Sequence, residues 1–351
     1  MKKIRHETLN EIMLALMAGA GISEEDRKIV AESLLQADLR GVHSHGILRL
    51  PLYLKRICSG AVNPKPQRKI LKETLATALI DGDHGLGQLS GHQAMHLAME
   101  KAAQCGIGAV AVQKGHHFGA AAYYAMMAGQ RDMIGIALTN TPPLMAAWGG
   151  RVPMVGNNPF AVYVPAGEER PILLDMALSQ VAQGKISLAA AKGERIPLDW
   201  ATDIQGNPTS DPLTALQGIL LPAGGYKGYG LAVVIDLLTG MLSGARSGPK
   251  VRSMSGYPNE PQDSGQLYIA IQIEAFRSLE DFKSEVDAYI REMKSSTQAE
   301  GAPSIYFPGE QSFLRYENNL REGIELPEGV IQDLLAVADM LKVDLSPWLQ
   351  D

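Results

Sequence analysis

Hydrophobic residues recur with helical spacing near the start of the chain. The first apolar set repeats every three to four positions and consists of Leu9, Ile12, Met13, Leu16 and Met17. After a break, the run Ser23-Glu24-Glu25-Asp26 has the form of a helix N-cap followed by an acidic first turn. The sequence therefore predicts two helices over residues 7–40, which lead into a polar stretch at residues 41–49.

From residue 77 onwards the pattern changes to short apolar runs separated by glycine. These runs contain few charges and are too short for helices, as expected for strands of a sheet that is covered on both faces. They lie at residues 78–80, 107–112, 134–138, 161–164, 172–174 and 267–273. Longer helical patterns at 88–104 and 120–131 can cover such a sheet. This arrangement predicts an α/β fold.

The remaining segments connect these elements or close the chain. Gly60, Pro64 and Pro66 mark residues 59–66 as a crossing between two domains. Scattered glycines and prolines predict a long irregular excursion over 190–222, and a polar loop is expected over 244–264. Further helices are predicted at 231–242, 278–293 and 330–341, with a turn at 308–310 before the last one.

The composition limits the class of protein to which the chain can belong. Its 351 residues, 46 % of them hydrophobic, suffice for two domains with a sizeable core. A formal net charge of −6 without clustered lysine and arginine argues against nucleic acid as a partner. Neither a signal-peptide core nor an uncharged run of about 18 apolar residues occurs. We therefore expect a cytoplasmic protein without a membrane partner, whose ligand is a small anionic molecule.

The first candidate for chemistry is Gly41-Val42-His43-Ser44-His45-Gly46-Ile47-Leu48-Arg49. An imidazole exchanges a proton near neutral pH, and an arginine holds a carboxylate through two parallel hydrogen bonds. His45 and Arg49 could therefore bind and protonate a small oxo acid, and they share a face if the chain is helical from Gly46 onwards. The alternative is that His43 and Ser44 form a polar turn and that Arg49 is a solvated surface charge.

A second histidine motif lies where a predicted strand ends and a helix begins, in Lys114-Gly115-His116-His117-Phe118-Gly119-Ala120-Ala121. Side chains at such a strand end are well placed for a ligand. His117 could face the first site across a cleft, with one histidine exchanging a proton and the other orienting a carbonyl group. Taken alone, paired histidines occur about as often in structural roles.

His92 and His96 lie four residues apart on a predicted helix, like half of a zinc site. Gln93 occupies the position at which a metalloprotease helix carries its glutamate, so we expect no metal site here. A histidine-based metal hydrolase is the alternative from a different class. It would require histidines to converge with a carboxylate, drawn from His43, His45, His92, His96, His116 and His117.

The chain lacks the glycine fingerprint of a Rossmann dinucleotide-binding unit. Gly85-Leu86-Gly87 and Gly106-Ile107-Gly108 both miss the third glycine at the required offset. Three apolar runs end in small hydrogen-bonding residues, at 140–143, 156–159 and 175–179, which could line a groove for ribose hydroxyls and an amide. The glycine-rich stretch 224–230 contains Lys227 and precedes a helix, which suits a pyrophosphate. If a nicotinamide cofactor binds, it binds on another fold.

The order of these motifs resembles that of the malate/L-lactate/L-sulfolactate dehydrogenase family, which includes ureidoglycolate dehydrogenase and diketogulonate reductase. The shared motifs span nearly the whole chain and are His43-Ser44-His45-Gly46 with Arg49, His117-Phe118-Gly119-Ala120, Gly156-Asn157-Asn158-Pro159, Asp175-Met176-Ala177, Gly225-Tyr226-Lys227-Gly228-Tyr229-Gly230 and Pro308-Gly309-Glu310. The resemblance implies an α/β protein with a non-Rossmann NAD(P)-binding domain on a mixed sheet at residues 76–299. It also implies a discontinuous helical, α+β domain for substrate binding and dimerisation, from residues 1–75 and 300–351, and a homodimer.

The resemblance also assigns roles to single positions. His45 and His117 match the two family histidines associated with proton transfer, Arg49 would bind the substrate carboxylate, and Ser44 would support the site. The positions that match cofactor-contacting segments are Thr141, Asp175, Met176, Ala177, Lys227, Pro308, Gly309 and Glu310. The chain departs from the family pattern at Gly115-His116, where Ser-Asn is common, and at Leu178, where a hydroxyl residue is common.

The resemblance implies an NAD(P)-dependent oxidoreductase that interconverts a small 2-hydroxy acid, such as malate or lactate, and its 2-oxo acid. Hydride would pass between the nicotinamide and C2 of the substrate, while His45 or His117 exchanges the hydroxyl proton. Within the family, the alternatives are oxidation of ureidoglycolate and reduction of a cyclic imino acid, piperideine-2-carboxylate. The sequence leaves the choice between NAD and NADP open.

Overall fold

The computed structural model describes residues 2–349 of the chain. Its helices are α1 His6–Gly19, α2 Glu24–Leu39, α3 Leu50–Cys58, α4 Gly87–Cys105, α5 Ala121–Gly129, α6 Gln183–Lys192, α7 Pro212–Ala215, α8 Tyr226–Asp236, α9 Leu279–Ser295, α10 Glu310–Glu322, α11 Glu328–Leu341 and α12 Ser346–Leu349. Its strands are β1 Lys2–Ile4, β2 Lys69–Glu73, β3 Thr77–Asp81, β4 Ile107–Gly115, β5 Met133–Thr139, β6 Pro143–Ala146, β7 Pro153–Gly156, β8 Phe160–Val164, β9 Ile172–Met176, β10 Ser264–Gln272 and β11 Ile324–Leu326.

A seven-stranded sheet forms the centre of the molecule, in the order β2-β3-β4-β10-β5-β8-β9. β3 and β4 pair in parallel, and the other neighbouring strands pair antiparallel. β10 comes late in the sequence and inserts between β4 and β5, so that Tyr268 lies opposite both Val110 and Ala137. The predicted mixed sheet in an α/β protein is therefore confirmed.

Apolar side chains cover both faces of this sheet. On one face α4 and α5 pack on strand residues such as Val110 and Ala161. On the other face α8 and the segment 178–220 pack on residues such as Leu138 and Leu267. Strands covered on both sides require continuous apolar runs, which is why the hydrophobic pattern predicted them.

A separate core joins the two ends of the chain. β1 pairs antiparallel with β11, and α1, α2, α3 and α11 bury residues such as Leu16, Tyr53 and Leu334 against one another. The predicted cap of α2 is present, because Ser23 Oγ accepts a hydrogen bond of 3.2 Å from the Asp26 N–H. This helical core presents residues 43–49 to the sheet.

The hydrophobic pattern missed elements that bury little surface. β2 is exposed along its whole length at the sheet edge, and α10 has no buried residue. The apolar helix predicted over 231–242 begins earlier, because α8 starts at Tyr226, and it continues as a π-helical turn at Leu237–Met241. Most of the glycine-rich stretch 224–230 therefore lies inside the helix.

Candidate active site

The polar stretch at 43–49 folds into two short 3-10 turns. These turns are His43–His45 and Ile47–Arg49, with Gly46 between them at φ −92° and ψ −149°. The continuous helix considered from Gly46 onwards is therefore wrong, because α3 begins only at Leu50.

The buried carboxylate of Asp38 holds both turns. It lies 2.9 Å from His43 Nδ1 and accepts a hydrogen bond of 2.7 Å from the Ile47 N–H. The hydrogen bond between His43 and the Asp38 carboxylate raises the pKa of His43. Gly46 packs so closely on Asp38 that a Cβ at this position would collide with the carboxylate. His43 is therefore tied to the α2 helix through Asp38.

Ser44, His45 and Arg49 converge despite the broken helix. Arg49 Nε donates to the Ser44 carbonyl over 2.6 Å, and Ser44 Oγ lies 2.9 Å from His45 Nδ1. Burial, together with the charge of Arg49, lowers the pKa of His45 to about 4. His45 is therefore neutral at pH 7. The residue is still partly accessible to solvent.

The structure brings the second predicted histidine next to the first. The rings of His45 and His117 are stacked, with centroids 5.4 Å apart and planes inclined by 23°. Burial, with smaller contributions from His45 and Arg49, lowers the pKa of His117 well below its ordinary value. Two neutral imidazoles beside one guanidinium therefore form the chemical centre of the candidate site.

The contacts of His117 determine which ring nitrogen carries the proton. Nδ1 receives the N–H of Gly119 at 3.3 Å and lies 2.5 Å from the hydroxyl of Tyr53. A peptide N–H can only donate, so Nδ1 acts as the acceptor and the proton of the neutral ring resides on Nε2. Nε2 has no partner among residues 2–349, so it can donate to a ligand.

Sequence reasoning missed two residues of this centre. Tyr53 is buried on α3, and burial raises its pKa to about 12, so it remains a hydroxyl donor. Its one sequence signal was spacing, because Arg49 and Tyr53 extend the four-residue step that begins at His45. Gln262 accepts the His117 N–H at 2.9 Å from a long loop, where no sequence pattern marks it.

The first predicted cofactor position, Thr141, joins two strand ends. Its hydroxyl donates to Asn157 Oδ1 and its N–H to Asn158 Oδ1, both over 2.9 Å. Asn158 in turn donates to the Ala232 carbonyl of α8 over 2.8 Å. The segments 140–143 and 156–159 therefore meet beside α8, as a shared groove requires.

Lys227 is the second residue of α8 and its side chain is exposed. No side chain caps this helix end, so its first peptide N–H groups are available to an anion. Trp148 and Tyr226 flank it, with ring centroids 6.1 Å apart, and they are 60 % and 62 % exposed. A positive helix end, a cation and an aromatic wall thus occur together.

Asp175 and Met176 end β9, and Ala177 follows them. Solvent reaches the Asp175 carboxylate, yet protein surrounds it on most sides, and this burial raises its pKa to about 6 against the opposing hydrogen bond from the Ala122 N–H. Ala122 belongs to α5, which follows the His117 motif directly. Asp175 therefore contacts the helix that follows the His117 motif.

The turn at 308–310 is fixed to the same strand. The Pro308 carbonyl accepts the Leu173 N–H at 3.0 Å, and Gly309, with φ +86°, leaves no room for a Cβ beside Leu173. The Glu310 carboxylate accepts hydrogen bonds from Lys294 at 2.5 Å and from the Phe307 N–H at 3.1 Å. These contacts bring the turn close to Asp175.

The residues of this second group fit a nicotinamide dinucleotide. The uncapped α8 terminus and Lys227 suit a pyrophosphate, and the Thr141 hydroxyl and Asp175 carboxylate suit the polar edges of a ribose or an amide. Asp175 alone of these residues has a contact with α5, which follows the His117 motif, among the hydrogen bonds of the described residues.

Four other histidines form two separate pairs. The rings of His92 and His96 on α4 lie 4.5 Å apart, and those of His84 and His116 lie 6.2 Å apart. Across residues 2–349, no group of three or more histidine, cysteine, aspartate or glutamate side chains is arranged to hold a metal ion. The convergence that a metal hydrolase would require is therefore not found in this part of the chain.

Within the same residues, no helix combines the length and the hydrophobicity needed to cross a membrane.

Comparison with known proteins identifies relatives that match nearly the whole chain. Over 347 residues, the chain is 41 % identical to the L-sulfolactate dehydrogenase of Methanocaldococcus jannaschii, covering 99 % of each chain. The solved structure titled sulfolactate dehydrogenase from that organism superposes with a TM-score of 0.94 at 41 % identity, covering 99 % of this chain and 100 % of the other.

Two further relatives carry a cofactor in their names. The ureidoglycolate dehydrogenase (NAD(+)) of Escherichia coli K12 is 34 % identical over 96 % of each chain. The (2R)-3-sulfolactate dehydrogenase (NADP(+)) of Chromohalobacter salexigens is 34 % identical over 93 % of this chain and 95 % of its own. The sequence profile described as malate/L-lactate dehydrogenase matches residues 4–335. The chain therefore belongs to the malate/L-lactate dehydrogenase family, and the predicted class of enzyme, an NAD(P)-dependent oxidoreductase of 2-hydroxy acids, is confirmed.

Proposed function

We propose that the protein interconverts malate, lactate or sulfolactate and the matching 2-oxo acid in the cleft that contains His45 and His117. The observation that carries this proposal is the stacked, neutral histidine pair beside Arg49. A neutral imidazole can take a proton from an alcohol, and a guanidinium can hold the adjacent carboxylate. A 2-hydroxy acid presents these two groups on neighbouring carbon atoms.

The two histidines have different tasks in this proposal. His117 presents Nε2–H and orients the substrate oxygen, because its Nδ1 already accepts hydrogen bonds from Tyr53 and Gly119. His45 exchanges the hydroxyl proton, since it is neutral at pH 7 and, within residues 2–349, its Nδ1 contacts only the adjustable hydroxyl of Ser44. Arg49 fixes the substrate carboxylate, which directs C2 towards the histidines.

The cofactor would be held by the positions around α8 and β9. Lys227 and the α8 terminus would bind the pyrophosphate, and the remaining contacts would come from Thr141, Asp175, Met176, Ala177, Pro308, Gly309 and Glu310. When bound, the nicotinamide supplies or accepts the hydride at C2. The protein contributes the placement of both partners and the exclusion of water.

Single His45→Gln and His117→Gln variants test the division of labour. Both should lower kcat strongly, by about 10²- to 10⁴-fold for the residue that exchanges the proton. Added imidazole should restore turnover to the His45 variant, because a small base can replace a missing base, and should leave the His117 variant slow. Normal turnover in both variants would refute the mechanism, and imidazole rescue of His117→Gln alone would reverse the two roles.

The substrate is identified by following NADH and NADPH oxidation with oxaloacetate, pyruvate and sulfopyruvate, and the reverse reaction with the hydroxy acids. Ureidoglycolate and piperideine-2-carboxylate are tested in the same series. Efficient turnover of either of these two, with the three oxo acids inert, would replace the proposed substrate class by one of the family alternatives.

We also infer a homodimer, from an exposed apolar stripe on α8 and the π-helical turn. Leu231, Val234, Leu238 and Met241 follow helical spacing and are 52 %, 50 %, 37 % and 61 % exposed. Contiguous apolar surface of this kind is typical of a protein interface. Sedimentation should show a dimer for the wild type and a monomer for Met241→Glu, and a wild-type monomer would refute the inference.

The cell compartment and the domain division are further proposals. A cytoplasmic location is supported by the need for the cellular NAD(P) pool and by the two free cysteines, Cys58 and Cys105. The division into residues 1–75 with 300–351, and 76–299, is supported by the core that α1, α3 and α11 share. Limited proteolysis that cuts near 59–68 and 296–305 would agree with it, whereas first cuts within the sheet, whose edge strand is β2, would not.

A further inference from the structure

The peptide bond between His116 and His117 is held at both ends by glutamine side chains. Gln262 Oε1 accepts the His117 N–H at 2.9 Å, and Gln266 Nε2 donates to the His116 carbonyl over 3.1 Å. Both glutamines are buried, at 3 % and 0 % exposure. Gln266 Oε1 in turn accepts the Tyr268 hydroxyl at 2.9 Å, which fixes the direction of that amide. Gln262 and Gln266 lie in one segment of the chain. Together they set the plane of this peptide and, with it, the direction of the His117 side chain.

The start of α4 packs directly against this peptide. A Cβ on Gly87 would collide with the carbonyl oxygens of both His116 and His117. The peptide therefore cannot move towards α4, and its position depends on the two glutamines on its other side.

Gln262 lies at the end of the loop 251–263, which is anchored by a buried arginine. The guanidinium of Arg56, 2 % exposed on α3, donates to the carbonyls of Met254 (3.0 Å), Tyr257 (2.8 Å) and Pro258 (3.3 Å), and to that of Glu260 (2.7 Å). Only a planar group with several donors can serve so many carbonyl groups at once. Arg56 therefore fixes the loop just before Gln262.

We propose that Gln262 is a positioning residue for His117 and that Arg56 holds Gln262 in place. The inference rests on the proposed role of His117 as the donor to the substrate oxygen, and it adds two residues that act through His117. Two residues of α3 then position His117. Tyr53 orients its ring through the contact with Nδ1, and Arg56 holds its backbone in place through the loop that contains Gln262.

The central test replaces Gln262 with residues of similar size and different hydrogen-bonding capacity. Gln262→Met removes the acceptor for the His117 N–H, whereas Gln262→Glu keeps an oxygen there. We expect the Met variant to lose about 10- to 100-fold in kcat, because a misplaced reacting group costs rate without a lost contact to the ligand. The KM for the cofactor should stay within about 2-fold of the wild type, and the Glu variant should recover most of the lost kcat.

An isotope effect separates positioning from general damage to the structure. With NADH deuterated at the transferred hydrogen, the isotope effect on kcat should be larger in Gln262→Met than in the wild type, since the chemical step becomes slower than product release. Gln332→Met, at an exposed position of α11, is the matched control and should change neither value. If Gln262→Met does not fold, Gln262→Asn, which is one methylene shorter, replaces it.

Arg56→Lys tests the second part of the proposal. An ammonium cannot serve four carbonyls, so amide exchange in the segment 254–262 should be faster and kcat should fall as in Gln262→Met. Wild-type kcat in Gln262→Met, with His117→Gln strongly impaired, would overturn this inference and leave the proposed function standing. Full activity of His117→Gln would overturn both.

Discussion

The low pKa of His45 leads to a specific prediction for the pH dependence of the two reaction directions. At pH 5.5 a histidine of ordinary pKa, near 6.5, is about 9 % neutral. With a pKa of about 4, His45 is about 97 % neutral at the same pH. Alcohol oxidation needs the neutral base, so its kcat/KM should stay near its plateau at pH 5.5 instead of dropping to about a tenth.

If kcat/KM for oxidation does not change with pH in this range, the pH dependence must appear in kcat/KM for reduction. Reduction of the oxo acid consumes one proton, so the ratio of the two kcat/KM values changes about 10-fold per pH unit at equilibrium. Since oxidation is flat above a pKa of about 4, kcat/KM for reduction should rise about 10-fold per pH unit as the pH falls from 8 to 5. An ordinary histidine would give a plateau for reduction below about pH 6.5.

The assay is a pair of kcat/KM profiles from pH 4.5 to 8.5, measured in both directions and corrected for ionisation of the substrate. The Arg49→Gln variant supplies an internal check, because removal of this cation should raise the pKa of His45 and shift the acid limb of oxidation upwards. An acid limb near pH 6.5 in the wild-type oxidation profile would refute the burial argument. It would also show that the cleft is more hydrated than its packing indicates.

Three other perturbations have defined outcomes. Lys227→Ala should weaken NAD(P)H binding about 5-fold at low salt, measured by cofactor fluorescence, and unchanged affinity would place the phosphates elsewhere. Tyr53→Phe should lower kcat about 10-fold with the KM for the cofactor unchanged, through loss of the hydrogen bond to His117, and wild-type kcat would contradict this role. Burial lowers the pKa of His116 to about 3, so this histidine stays neutral in the folded protein but gains a proton in the unfolded chain below about pH 6.5. The folded state should therefore lose stability as the pH falls below about 6.5. Urea denaturation should show a loss of up to about 2 kcal/mol between pH 7.5 and pH 5 that His116→Asn lacks; equal losses would refute it.

The fold was predictable wherever burial leaves a pattern in the sequence. β4, β5 and β10 lie in the middle of a sheet covered on both faces, so each is a nearly continuous apolar run. β2 and α10 bury almost nothing, and no such pattern marks them. The π-helical turn after α8 could not be predicted either, because its apolar residues are compatible with an α-helix as well as with a π-helix.

The candidate site was predictable where chemistry is local in sequence. His45 and Arg49 lie within one short motif, and His117 follows a predicted strand end, so residue types and spacing made them candidates, and the family resemblance assigned their roles. Tyr53 and His117 are 64 residues apart, and Gln262 and His117 are 145 residues apart. Contacts of that range depend on how α3 and the loop 251–263 pack, which spacing in the sequence does not encode.

The division of labour between the two histidines shows why those distant contacts matter for function. From the sequence, His45 and His117 are equivalent imidazoles, and either can be the acid or the base. The structure makes them unequal, because Gly119 and Tyr53 occupy Nδ1 of His117, whereas Ser44 alone contacts Nδ1 of His45. In the proposed reaction a neutral His117 would donate through Nε2 to the substrate oxygen, and His45 would accept the proton that leaves the alcohol. The proposed division of roles thus depends on the Tyr53 hydroxyl, which lies outside every motif, and on the direction of the Gly119 N–H, which the motif sequence does not reveal.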